Sequence, residues 1–165
     1  MAFREMLVGS VAVVMLAALP ASSQTAAPPA PHSTPTDPFV YQPAAEVEAM
    51  TKLADGKTTA SKIVVDHEYY FIEYVTRGIN TQPEAHGHWY DYVHVLSGEG
   101  TVTYGGTQDG GRDTGNLEIR GGTLAGAKTQ LLHPGDRVVL PPGMPHLFTA
   151  TPGHTLTYLI FKQKV

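Results

Sequence analysis

Glycine and proline interrupt most of this chain so often that long helices are excluded, and that constraint limits the fold more than any other feature. The 165 residues include 17 Gly and 13 Pro, and from residue 61 onward the stretches between them are short runs rich in Val, Ile, Tyr, Phe and Thr, which favour strands. One stretch differs: Val47, Met50 and Leu53 recur at helical spacing, with Pro43 suited to the first turn and Gly56 to the stop. Many short strands with turn signals and one minor helix predict an all-β fold, an antiparallel double-sheet β-barrel with a single short N-terminal helix. The length allows one domain with one sizeable core.

The first 23 residues read differently. Arg4 supplies a positive end, residues 7–19 an apolar core, and Ala21-Ser22-Ser23 small residues suited to cleavage. The apolar core is shorter than the roughly 20 residues a spanning helix needs. Residues 1–23 are therefore expected to be a signal peptide, 24–38 a disordered Pro/Ala/Thr-rich linker with too little apolar bulk to offset its ordering entropy, and 39–165 the folded domain. Export to the periplasm or outside the cell follows, with no membrane association once the signal is cleaved. With no Cys the mature fold rests on its own core, without disulfides. A net charge of −4 with scattered charges gives no footprint for nucleic acid or for an acidic membrane surface.

Strands are predicted at residues 61–66 and 69–77, with Asp66-His67-Glu68 as the turn. In the second, Tyr70, Ile72 and Tyr74 alternate with Phe71, Glu73 and Val75, and Glu73 is expected as a surface charge. The stretch His86-Gly87-His88-Trp89-Tyr90-Asp91 places three possible metal ligands within six residues. On an extended strand His86 and His88 share a face, whereas His94, three residues after Asp91, faces away from it. A second segment, residues 135–146, contains a strand, a Pro-Gly turn and a further histidine, His146. Trp89, Tyr90 and Tyr104 are candidate pocket walls, although aromatics in a barrel more often belong to the core. Between the two segments, residues 107–116 are rich in Gly, Asp and Thr and are expected as an exposed excursion that shapes the barrel mouth.

These two stretches resemble the paired motifs of the cupin superfamily. The first is written H-x-H, three or four residues, Glu, six residues, Gly. The second is G-x5-P-x-G-x2-H-x3-N. Gly135, Pro141, Gly143 and His146 fall at the spacing of the second motif, with Ala150 in place of its final Asn. Six residues before Gly98 stands Asp91, a shorter acid than the usual Glu, and only two residues separate it from His88. The resemblance covers residues 39–165 and implies a jelly-roll barrel with His86, His88, Asp91 and His146 around a divalent metal. Asp91 is open to three roles: ligand, partner to a histidine, or rim residue. The histidines are open to a second one, filling a polar interior without metal.

Imidazole and carboxylate donors with open positions suit iron, manganese, nickel, copper or zinc. Absence of twin arginines points to export unfolded and metal loading afterwards, where the affinity order favours copper or zinc. The function expected is that of an exported metal-binding cupin acting on or binding a small organic molecule in the barrel, with oxygenase, isomerase and lyase chemistry all open. The alternative is a non-catalytic small-ligand or sugar-binding module. A homodimer is compatible with either. For the N-terminus the expected outcome is specific: sequencing of exported protein should find a first residue between Ser22 and Ala27, and Met1 on membrane-bound protein would show an anchor instead.

Overall fold

The computed structural model describes residues 39–165; the signal peptide and linker expected at residues 1–38 lie outside the described residues. The chain begins with helix α1 (Ala44–Thr51), then β1 (Thr59–Asp66), β2 (Tyr70–Arg77), β3 (Glu84–His86), β4 (Trp89–Gly98) and β5 (Gly100–Tyr104). Four short strands follow, β6 (Thr107–Asp109), β7 (Arg112–Asp113), β8 (Glu118–Arg120) and β9 (Thr123–Ala125). The last four are β10 (Lys128–Leu132), β11 (Arg137–Leu140), β12 (His146–Ala150) and β13 (Leu156–Lys164). The helix forms after Pro43, whose carbonyl accepts the N–H groups of Glu46 and Val47, but it ends at Thr51, so Leu53 lies beyond it and Gly56 is not its stop. It buries no residue fully, as befits a helix on the outside of a barrel. No helix of the described residues is long and apolar enough to cross a membrane.

Two antiparallel sheets make the barrel. One has the order β1-β2-β13-β4-β11 and the other β10-β5-β12-β3-β8-β7, while β6 and β9 form a separate ribbon. The C-terminal strand β13 fills the gap between β2 and β4, so the first sheet closes only when the end of the chain arrives. The excursion at 107–116 is exposed as expected but not structureless, since β6 pairs with β9 and β7 with β8.

Alternation decides what fills the interior. Val75, Val93, Val95, Leu140, Leu156, Tyr158 and Ile160 of the first sheet meet Val102, Leu132, Phe148 and Ala150 of the second in one buried cluster. Phe148 and Tyr158 bridge the sheets with ring centroids 4.9 Å apart. Along three strands the inward positions pass from apolar to polar: Val95, Val93, Asp91 on β4; Tyr158, Ile160, Lys162 on β13; Ala150, Phe148, His146 on β12. All of them are buried. One end of the barrel is therefore a hydrophobic core and the other a polar chamber.

The tight turn from β4 to β5 depends on Gly98. Its φ is +82°, and a Cβ there would stand 1.8 Å from the Thr155 carbonyl oxygen, a backbone atom that cannot swing aside. Gly135 also has positive φ, +92°, but open space around it. Gly98→Ala should therefore cost clearly more than the roughly 1–2 kcal/mol of left-handed backbone strain alone, and Gly135→Ala about that strain or less. Thermal unfolding of both variants checks this; equal losses would mean that the Thr155 contact relaxes freely.

Candidate metal centre

The chamber is a cavity of about 570 Å³ enclosed by both sheets. Strand β3 brings Glu84 and His86 to it as residues i and i+2 of one strand, and β12 sets His146 directly opposite Glu84 in register. These three buried residues place one ligand atom each within 4.8 Å of one another. From the facing sheet β4 supplies Asp91, and β13 holds Lys162 directly across from it.

Both imidazoles are oriented by their Nδ1 atoms. His86 Nδ1 lies 2.6 Å from Glu118 Oε2 and His146 Nδ1 lies 2.9 Å from the Met144 carbonyl oxygen. Since each acceptor takes an N–H, the tautomer is fixed and Nε2 keeps its lone pair. The two Nε2 atoms converge. His86 Nε2 stands 4.0 Å from Glu84 Oε1 and 3.7 Å from Asp91 Oδ2, and His146 Nε2 is 3.7 Å from each. Metal bonds of about 2.1 Å to nitrogen and oxygen put tetrahedral ligand atoms about 3.4 Å apart, so a slight contraction of this cluster would enclose an ion. Among the described residues, His86 Nε2 and both Asp91 oxygens are buried without a hydrogen-bond partner, a cost that a shared cation would remove.

Charge is arranged to keep Glu84 ionised. Arg77 Nη2 donates to its Oε1 at 2.8 Å, Arg120 donates to its Oε2, and Arg77 Nε also donates to the buried Tyr158 hydroxyl at 3.0 Å. Burial alone would raise the Glu84 carboxyl, but the His146 ring and the Arg77 guanidinium hold it well below the carboxylate range. Burial acts in the same sense as the Lys162 charge on His86, whose pKa falls to about 2. Burial also raises the Asp91 carboxyl, against the pull of Lys162, and pushes the Tyr158 phenol up.

Several sequence expectations change here. His86 and His88 do not share a strand: β3 ends at His86, and Gly87-His88 is the turn by which the chain crosses to the other sheet. Only Gly fits there, because a Cβ on Gly87 would lie 2.4 Å from Leu117 Cβ. The alternation that would aim His88 beside His86 is thus broken, and His88 does not line the cavity. Of the expected walls Trp89 does line it. Tyr90, one position along β4, faces outward and stacks on Tyr92 at 6.0 Å, and Tyr104 packs against the apolar core. His94 also falls on the outward alternation. Glu73 is not a surface charge; it points inward between Phe71 and Val75 and lines the cavity.

Glu84, Glu118 and Lys162 were not anticipated. For Glu84 a signal existed: counted back from Asp91, four residues lead to His86 and two more to Glu84, so the first motif is met as Glu-x-His, four residues, Asp. For Lys162 the sequence carries only a weak signal, its place on the same alternation as Tyr158 and Ile160. Glu118 had no signal, since it arrives from the insert.

No family model and no curated protein matches the chain. Solved structures do. An uncharacterised conserved protein with a double-stranded β-helix domain from Klebsiella pneumoniae aligns at 14% identity over 78% of this chain and 91% of its own, with TM-score 0.55. A Ralstonia eutropha protein provisionally named a mannose-6-phosphate isomerase aligns at 14% identity over 78% and 100%, with TM-score 0.52. Peruvianin-I, a cysteine peptidase from Thevetia peruviana latex, aligns at 15% identity over 82% and 77%, with TM-score 0.54. Names so different on one architecture, one of them a cysteine peptidase beside a chain without Cys, carry the fold and no activity.

A pH dependence follows from His86. Unfolded, it takes a proton near its ordinary pKa of 6.5; folded, it stays neutral to about 2. Below 6.5 the unfolded state binds more protons, so stability falls as pH falls. Below about 4.5 proton uptake by Glu84 in the unfolded state, while the folded carboxylate stays ionised, adds to this, partly offset by Asp91, whose raised pKa acts in the opposite direction. Between pH 6.5 and 5, metal-free protein should lose up to about 1.4 kcal/mol per pH unit, and His86→Asn should lose less. Denaturant titrations at several pH values measure it; parallel slopes would mean that His86 charges in the folded state.

Proposed function

With the double-stranded β-helix of the cupin superfamily as its frame, we propose that this chain is a metal-dependent protein acting on a small organic molecule inside the barrel. Glu84, His86 and His146 are the ligands, with Asp91 completing the set from the opposite sheet. The observation that carries this reading is the convergence of two tautomer-fixed imidazole Nε2 atoms on two carboxylate oxygens in a buried cluster that opens on the cavity. A purely structural polar interior would satisfy these atoms with one another; instead several are left without a partner.

A divalent ion held there would act as a Lewis acid toward an oxygen of the bound molecule. The chain's own groups do the rest. Glu118 and the Met144 carbonyl hold the imidazoles in place, Arg77 and Arg120 keep Glu84 charged, and Phe71 and Trp89 wall the chamber. Two imidazoles with two carboxylates form a harder set than the three imidazoles and one carboxylate that the motifs imply, so iron(II) and manganese(II) fit equally well. Copper or zinc remains the proposal for protein loaded after export, and export itself is proposed from residues 1–23 alone.

The test is metal content and affinity of the full chain, purified and dialysed, by elemental analysis. Wild type should hold near-stoichiometric divalent metal. His146→Ala and Glu84→Ala should lose it, Glu118→Gln should bind about 10–100-fold more weakly, and His88→Ala should match wild type. Full metal content in His146→Ala would refute the proposal.

A further inference from the structure

Each sheet of the barrel has an outward side as well as an inward one, and alternation in an antiparallel wall ordinarily turns polar residues toward water. The five-stranded sheet departs from this. Register lines up Val65, Ile72, Phe161, Tyr92 and Val139 as one unbroken apolar row across β1, β2, β13, β4 and β11. The next row reads Lys62, Tyr74, Leu159, His94 and Arg137. Tyr92 and Val139 are 37% and 56% exposed, and Ile72, Tyr74, Leu159 and Phe161 are half-buried. Outward positions of this sheet can be covered: Thr76 and Thr157, one level further along β2 and β13, are buried and hydrogen-bonded to each other at 2.9 Å.

Charge, order and size all suit this face to a partner. In the two rows the only Lys, Arg, Asp or Glu residues are Lys62 and Arg137, and they stand at opposite edges. The middle can therefore lose its water without burying an ion, while both cations stay hydrated at the rim. The Phe161 ring packs on Tyr92 at 5.9 Å and Tyr92 on Tyr90 at 6.0 Å, so the aromatic surface is ordered before a partner arrives and little side-chain entropy is lost on binding. Strands about 4.8 Å apart and residues about 3.3 Å apart make five strands by three outward levels about 24 Å by 20 Å. Two such faces in contact would bury roughly 1,000 Å² in all, the area at which specific interfaces begin.

The same features select the partner. An acidic protein would meet only two cations, with the whole width of the sheet between them. A second copy presents an equally neutral sheet of the same twist, and such sheets pack face to face. The phenol hydroxyls of Tyr74, Tyr90 and Tyr92 both donate and accept, so a like face can satisfy them, and a two-fold axis requires a face to complement itself in this way. We infer that the outer face of the five-stranded sheet seats a second copy of this chain, forming a two-fold dimer whose cavities lie on the far sides of the paired sheets. The inference does not depend on a metal. Strands β4 and β13, which carry Asp91 and Lys162 inward, carry Tyr92 and Phe161 outward, so the partner backs the strands of the site.

Sedimentation equilibrium of the full chain, from about 1 μM to about 200 μM and with and without EDTA, tests it. Wild type should form a reversible dimer with the same dissociation constant in both buffers. Tyr92→Lys sets like charges against each other in the middle of the pair and should weaken it about tenfold or more, and Val139→Lys, toward the edge, should weaken it less. Leu131→Lys, on the other sheet and 44% exposed in the wild type, should leave it unchanged. A wild type that stays monomeric throughout, a dimer that Tyr92→Lys leaves intact, or equal weakening by Leu131→Lys would each overturn the proposal. Should Tyr92→Lys not fold, Val139→Lys decides it, and an unchanged dimer in that variant would overturn it. Monomeric wild type that instead sediments with phosphatidylglycerol vesicles would also overturn it, giving the face to an anionic membrane surface through Lys62 and Arg137.

Discussion

Glu84 is the group about which the interior is arranged. A carboxylate buried at the end of an apolar sandwich stays ionised only if positive charge accompanies it, and here two guanidiniums grip its two oxygens. Arg77 comes from β2 of the opposite sheet and is itself fixed by the Tyr158 hydroxyl and Thr59. The clamp therefore ties the sheets together at the level where the hydrophobic core ends. A buried pair of this kind adds little net stability over apolar packing, because desolvation offsets most of its attraction. What it does supply is position: the Glu84 oxygen nearest the histidines is held at one place.

That placement depends in turn on strand register. His146 opposes Glu84 across β12 and β3, and Lys162 opposes Asp91 across β13 and β4. A slip of one residue in either pairing would turn a chamber group outward and bring an exterior one in. The alternation that packs Val93, Val95, Tyr158 and Ile160 into the core thus also aims Asp91 and Lys162 into the chamber. Core packing and site geometry are one specification, since the same strands serve both.

This explains what could be read in the sequence. Period-two alternation is local, so the strands, the outward turn of His94, the short helix and the second motif with His146 were all legible. The pairing of His86 with His88 failed because alternation holds only within one unbroken strand, and Gly87 marks where the chain leaves one sheet for the other. Counting candidate ligands by type pointed to two histidines, whereas counting back from Asp91 points to Glu84 and His86, the two that the fold brings to the cavity. Glu73 was read outward because its strand is apolar on both faces, which gives alternation no preferred side. Arg77, Arg120 and Glu118 could not have been paired from sequence, as their partners lie on strands whose adjacency only the topology creates.

The insert between the motifs shows the same dependence from the other direction. Asn116 and Leu117 both take positive φ, 53° and 58°, a conformation unfavourable for non-glycine residues and more costly for Leu than for Asn. The surroundings enforce it: the Gly87 N–H donates to the Leu117 carbonyl at 2.9 Å, and Glu118 N–H closes the turn onto Gly115 at 2.9 Å. The turn that ends the ligand strand and the strained turn of the insert are thus locked to each other. The next residue, Glu118, reaches back to His86 Nδ1. Thr114 and Asn116 of the same segment line the cavity. An insert expected to shape the barrel mouth therefore also reaches the buried histidine. It sets the tautomer of one imidazole and forms the wall that an entering molecule meets, so a change in that loop would reach the histidine without touching it.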